Sequence, residues 1–270
     1  MLIIEPGRIE RNYWADVWRY RELFYFLAWR DILVRYKQTA VGIVWSVLRP
    51  IAAMVVFTIV FGRLARFPSD GTPYPILVFA AMLPWQFFAG SLSESGNSLV
   101  DNAGMLTKVY FPRIVVPASS IIVSLVDFII SLAILGTLVL WYGVLPGWRI
   151  FTLPLFFMMA AVTSFGFSLW LAALNVRYRD FRYVIPFIVQ LGLYISPVGF
   201  SSSVVPAKWR LVYSINPMVG VIDGFRWAII GSESGIYWPG FLLSGCLAVL
   251  VLVSGFRYFR RTERVLADII

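Results

Sequence analysis

The sequence contains no histidine, one cysteine and few charged residues, 14% of the total. The missing histidine removes Ser-His-Asp and Cys-His catalysis, histidine-ligated metal sites and histidine proton relays together. A lone Cys246 excludes an intrachain disulfide and reads as a small apolar side chain. No stretch matches the phosphate-cradling G-x-x-x-x-G-K-S/T pattern, so the chain is not expected to bind or hydrolyse ATP by itself. It also lacks a clustered acidic pair suited to a metal-bound sugar nucleotide, which argues against a membrane glycosyltransferase. No catalytic residue and no metal site is assigned.

What is present is apolar surface: 60% of residues are hydrophobic and the mean hydropathy is +0.79, too apolar for water to be the main solvent. Six runs read as membrane spans, most near the ~20 residues that cross ~30 Å of hydrocarbon. They are Gly42–Gly62, Pro75–Leu92, Val115–Trp141, Ile150–Leu174, Val184–Val198 and Tyr237–Phe256, the third long and the fifth short. Seventeen of the 23 Lys and Arg residues fall on one side of these runs, in the stretch up to Arg49, at Lys108 and Arg113, at Arg177, Arg179 and Arg182, and from Arg257 onward. That bias places both termini in the cytoplasm and requires an even number of spans. The expected fold is therefore an all-α integral membrane protein, a single transmembrane domain over residues 1–270. It comprises a cytoplasmic interface helix (17–37), a six-helix bundle (42–256) and a cytoplasmic tail (257–270). Met1–Arg11 has no apolar core of a signal peptide, so none is expected to be cleaved. The net charge of +9 sits at helix ends, where it anchors to anionic lipid headgroups; no nucleic-acid partner is expected.

Val17–Lys37 is too charged to span. At 100° per residue Trp18, Tyr25, Trp29, Ile32 and Tyr36 share one arc, Leu23, Leu27 and Val34 another, with Arg19, Arg30 and Lys37 between them. Such a helix rests in the interface, as an anchor alone or as an anchor that also meets a partner protein. The inner connection Ser93–Pro112 is longer than two adjoining helices need, and the second, Asn175–Pro186, carries three arginines and Asp180. The topology rule explains the arginines. It does not explain the interleaved Tyr110, Phe111, Tyr178, Phe181 and Tyr183, which favour a docking surface.

The outer side concentrates its mass between the fifth and sixth runs. Asn216 and Pro217 suit an N-cap and first turn, and Met218, Val221, Ile222, Phe225 and Ile229 repeat at helical spacing. A stretch this short is expected to be re-entrant or interfacial, as an outer gate or a lid packed on the bundle, with Asp223 and Arg226 able to pair. Within the spans Asp127 is the costly group, and it should face protein or water. A proton-coupled secondary transporter would use it, but no acidic chain and no inverted repeat accompany it. Arg49 either snorkels or meets an anionic substrate at the inner mouth. Aromatic residues are 17% of the chain, with eleven tryptophans. Lipid-facing belts are the default for them; since sugars lay apolar ring faces on aromatic rings, a polysaccharide path could use some of Trp45, Trp85, Phe87, Phe88, Trp170, Tyr194 and Phe200.

Five segments carry a resemblance: RDILVRYKQTAVGIVWSVLRP (Arg30–Pro50), LPWQFF (Leu83–Phe88), NAGMLTKVYFPRIVVP (Asn102–Pro117), LNVRYRDFRYVIPF (Leu174–Phe187) and INPMVGVIDGFRWAIIG (Ile215–Gly231). In order and spacing the chain resembles ABC-2-type permeases, within them the subgroup exporting O-antigen, capsular polysaccharide or teichoic acid. The resemblance implies a homodimer in the bacterial inner membrane, each subunit bound to a separate ATPase that holds ATP and Mg. The dimer would form a channel for a lipid-linked glycan. On this sequence it implies ATPase coupling through Asn102, Lys108, Tyr110, Arg113, Arg177, Tyr178, Arg179, Asp180 and Arg182. A substrate path would involve Arg49, Trp85, Phe88, Asp127, Tyr194 and Phe200, and an outer gate Pro217, Asp223, Phe225 and Arg226. An exporter of drugs or simple lipids is the nearest alternative.

Overall fold

A computed structural model describes residues 13–36, 40–69, 71–144, 146–231 and 235–263. Met1–Arg11, the expected end of the interface helix at Lys37 and residues 264–270 of the expected tail lie outside the described residues. Among the described residues every regular element is a helix. The interface segment forms two helices, α1 (Tyr13–Arg19) and α2 (Arg21–Tyr36). Then follow α3 (Ala40–Phe57), α4 (Tyr74–Asp101), the single turn α5 (Ala103–Leu106), α6 (Val115–Trp141), α7 (Leu153–Arg177) and α8 (Phe181–Ile195). The chain closes with α9 (Ala207–Tyr213), α10 (Pro217–Ile230) and α11 (Trp238–Glu263).

Among the described residues five helical stretches are long and apolar enough to cross a membrane: Val44–Leu64, Tyr74–Asp101, Val115–Trp141, Trp148–Arg177 and Trp238–Glu263. The first is α3 prolonged by a wider-pitched segment, Thr58–Leu64. The expected fifth span is helical as α8, but over only 15 residues, or ~22 Å at 1.5 Å per residue against ~30 Å of hydrocarbon. α10 is shorter still at 14 residues.

The second span departs most from its expected length. It does not end at Leu92 but continues through the Ser- and Gly-rich stretch to Asp101. In lipid, helices gain little from apolar contact with each other and associate through small residues and polar side chains. That is how this extension is held: Ser91, Ser95, Gly96 and Ser98 are buried. Asn175 of α7 donates to Gly96 O and Asn97 Oδ1, both at 3.0 Å, and Ser168 donates to Ser91 O at 3.1 Å.

α4 is thereby the centre of the bundle. In its most apolar stretch 78% is buried, against 11% for the first span. α6 and α7 flank it, α10 caps one end, and α11 packs on the far side of α7. The α7–α11 contact is backbone to backbone, because a Cβ on Gly166 would lie 2.6 Å from the Leu252 nitrogen. Two apolar cores result. One, around Phe79, Leu83, Phe87, Phe128, Phe156 and Phe225, fills the middle and the α10 end. The other joins Tyr13, Leu27, Leu99, Phe111, Val116, Leu169 and Phe259 at the opposite, arginine-rich end.

Candidate functional site

The arginine-rich end gathers three connections that are far apart in sequence. Arg30 of α2 donates to Asn102 Oδ1 at 2.9 Å and to Asp31 Oδ1 at 2.7 Å. Asn102 itself donates to Ser98 O at 2.8 Å, capping the end of α4. This clamps the interface helix to the connection that follows α4. Arg182, in the first turn of α8, reaches Asp101 Oδ1 at 3.1 Å, drawing the second connection against the first. Around this pair Lys108, Tyr110, Arg177, Tyr178, Arg179, Asp180 and Tyr183 are all exposed. The Arg177 guanidinium lies 5.4 Å from the Tyr178 ring centroid. A mixed aromatic and basic surface on a braced platform is the composition of protein docking sites rather than of a lipid-facing belt.

Arg113 stands apart from this surface. Its backbone N–H donates to Glu263 Oε1 at 2.8 Å and its guanidinium to Glu263 O at 2.6 Å, so it ties the start of α6 to the end of α11. Arg260 closes the same corner, with its guanidinium 3.6 Å from the Tyr13 ring centroid. Burial, with the Glu263 charge beside it, pushes the Tyr13 phenol above its ordinary range, so it stays neutral.

Asp127 has partners that sequence reading did not identify. Tyr36 donates to its Oδ1 at 2.5 Å, and Arg35 Nη2 lies 2.9 Å from its Oδ2. The other arm of Arg35 reaches Glu94 Oε1 at 2.9 Å. One guanidinium on the interface helix thus bridges carboxylates on α4 and α6, the fork geometry that suits arginine and not lysine. Sequence reading missed Glu94 and Asp101 because both fell in a stretch read as a solvated connection. Once that stretch is helical, Glu94 projects from the wall of α4.

The aromatic residues named for a path divide. Trp85 and Phe88 are buried, 5.4 Å apart, with Phe88 edge-on to Phe167. They floor an apolar cleft of about 520 Å³ whose other walls are α7 and α8. Tyr194 is exposed on α8, and Arg49 on α3. Phe200 contacts Phe67 edge-on. α3 and α8 are the least covered helices of the bundle: α8 buries Ile185 alone, and Tyr183, Phe187, Leu191 and Tyr194 are exposed along it.

At the opposite end α10 is capped as its sequence implies. The Asn216 side chain accepts from Met218 N–H at 3.0 Å, Pro217 follows at the first turn, and Gly231 closes the helix at φ 73°. Phe225 is fully buried, edge-on to Phe128, and is a core residue. Arg226 is buried too. It donates to Phe200 O at 2.7 Å and to Leu77 O and Val198 O at 3.1 Å, stitching α10 to α4 and to the turn after α8. Asp223 faces a cavity of about 360 Å³ with Ser202, Arg210 and Tyr213 in its wall. Burial pushes its carboxyl upward, opposed by the Arg226 charge, a hydrogen bond from Ser202 and the Arg210 charge.

The model of the ABC-2 type transporter family matches residues 22–230. Among curated relatives, an O-antigen export system permease protein RfbA of Myxococcus xanthus is 27% identical over 78% of this chain and 81% of its own length. A protein of the same name from Klebsiella pneumoniae is 26% identical over 80% and 85%. The polysialic acid transport protein KpsM of Escherichia coli is 22% identical over 88% and 92%.

Proposed function

The chain belongs to the ABC-2 type transporter family, and from that premise we propose that it is the permease subunit of an ATP-driven exporter of a lipid-linked polysaccharide. Relatives named for O-antigen and polysialic acid export match it over most of both lengths. The observation that carries the mechanism is the braced surface at the arginine-rich end, where Arg182–Asp101 and Arg30–Asn102 join two connections and the interface helix.

In this reading the protein is a bacterial inner-membrane homodimer of six-span subunits with both termini in the cytoplasm. α8 is the remaining span, and α9 with α10 form a re-entrant outer gate. Two copies of a separate ATPase, holding ATP and Mg, dock on Lys108, Tyr110, Arg177, Tyr178, Arg179 and Asp180. A ligand shifts an equilibrium only by binding its two states unequally. Closure of the ATPases around ATP does so by pressing on this surface, and the brace passes the displacement to α2, α4 and α8 as one unit. The sparsely covered α3 and α8 then face the second subunit, with exposed Tyr194 and Phe187 offering ring faces along the glycan path.

Removing the chain from its host tests the cargo. Surface polysaccharide is expected to vanish while its lipid-linked precursor accumulates on the cytoplasmic side. Unchanged surface polysaccharide, with altered sensitivity to drugs, would replace this reading by drug export.

A further inference from the structure

We propose that the arginine-rich end of α11 carries a built site for one anionic phospholipid. The site is a cleft of about 710 Å³ between α7 and α11, lined by Trp170, Leu250, Val253, Ser254 and Tyr258, with Arg257, Arg260 and Arg261 among its walls. Among the described residues no carboxylate lines it.

Depth argues first. Arg257 lies nineteen residues after Trp238, the start of α11, or ~28 Å at 1.5 Å per residue, which is the far edge of ~30 Å of hydrocarbon. The guanidinium groups of Arg257 and Arg261 therefore stand at headgroup level, and Leu250 and Val253, both exposed, stand at acyl-chain level one to two turns below. Rigidity argues second. Trp170 and Tyr258 are stacked with centroids 4.3 Å apart and planes 12° from parallel, and Trp170 Nε1 donates to Ser254 Oγ at 3.2 Å. Aromatic rings fixed at the boundary suit the glycerol region of a lipid.

Charge argues third. Arg260 is engaged by Tyr13 and by Glu263. Arg257 and Arg261 are exposed, four residues apart on one face, and among the described residues neither has a hydrogen-bonding or ionic partner. Two like charges at that spacing destabilise a helix unless an anion is shared between them. A phosphodiester supplies that anion, and its chains cover the apolar wall below. The inference rests on the membrane reading alone, so it survives whatever the chain exports.

The test is native mass spectrometry of the purified complex, titrated with phosphatidylglycerol or phosphatidylcholine. The wild type is expected to retain one phosphatidylglycerol per chain in preference to phosphatidylcholine. An Arg257→Gln/Arg261→Gln pair is expected to weaken that retention about thirtyfold, as loss of two arginines beside anionic lipid implies. An Arg63→Gln/Arg66→Gln pair at the other end should leave it unchanged. If the glutamine pair does not fold, Arg257→Lys/Arg261→Lys replaces it, expected to keep retention that falls as salt is raised. Equal retention of the two lipids, no loss in the glutamine pair, or salt-independent retention in the lysine pair overturns the site. So does displacement of phosphatidylglycerol by a polyprenyl diphosphate that the glutamine pair no longer binds, which would assign the cleft to the substrate's carrier.

Discussion

Asp127 is the residue on which the rival transport mechanisms divide. Bonded to Tyr36 and paired with Arg35, it is tied to the interface helix, and Arg35 carries a second carboxylate, Glu94. Arg35→Ala leaves two carboxylates without their shared cation. It is expected to cost about 1–2 kcal/mol, above a surface pair because one partner lies within a span. The midpoint of thermal unfolding in detergent checks this, and adding Asp127→Asn to Arg35→Ala should recover part of the loss. Asp127→Asn alone should keep ATP-driven export above half of the wild-type rate, since its role here is structural. Abolished export in a normally folded variant would instead favour a proton carrier. At the other end, Arg226→Ala strands three carbonyls that the guanidinium now serves. It should destabilise by about 3 kcal/mol, read as the same midpoint, because buried unsatisfied acceptors cost ~1–3 kcal/mol each.

Helices were legible in the sequence where a local signal marks them. The Asn-Pro start and the following apolar spacing gave α10, and uninterrupted hydropathy gave α6 to the residue, Val115–Trp141. The extension of α4 from Ser93 to Asp101 was not legible, because serine, glycine and asparagine signal a loop in water and a packing face in lipid. Only the partner helix, with Ser168 and Asn175 bonded to it, decides between the two. The basic and aromatic make-up of the two connections was legible in the sequence, whereas the braces between them were not. Asp101 and Glu94 are single acids whose partners lie 81 and 59 residues away. The break at Tyr20 and the wide-pitched end of α3 left no sequence mark that we can identify. Packing at the element scale is most exposed at Gly166, where α7 meets the α11 backbone. Gly166→Val must push the two helices apart, and overpacking of this kind costs about 1–3 kcal/mol or more. Reduced membrane accumulation and a lowered unfolding midpoint are the expected readouts, with Gly245→Val, where nothing lies within 4 Å, as the neutral control.

For the whole molecule the central matter is whether force enters through the arginine-rich end. Arg179→Glu/Arg182→Glu reverses two charges of the exposed surface and breaks the tie to Asp101. The variant should insert and accumulate like the wild type, yet export at least tenfold less polysaccharide. Preserved export would remove this surface from the mechanism. More direct is purification of the chain from its native membrane in mild detergent, with the mass and stoichiometry of every co-purifying chain determined. An ATPase subunit in one-to-one ratio, lost in the Arg179→Glu/Arg182→Glu variant, is the expected result. A permease recovered alone, under conditions that keep other such complexes intact, would contradict an ATP-driven exporter.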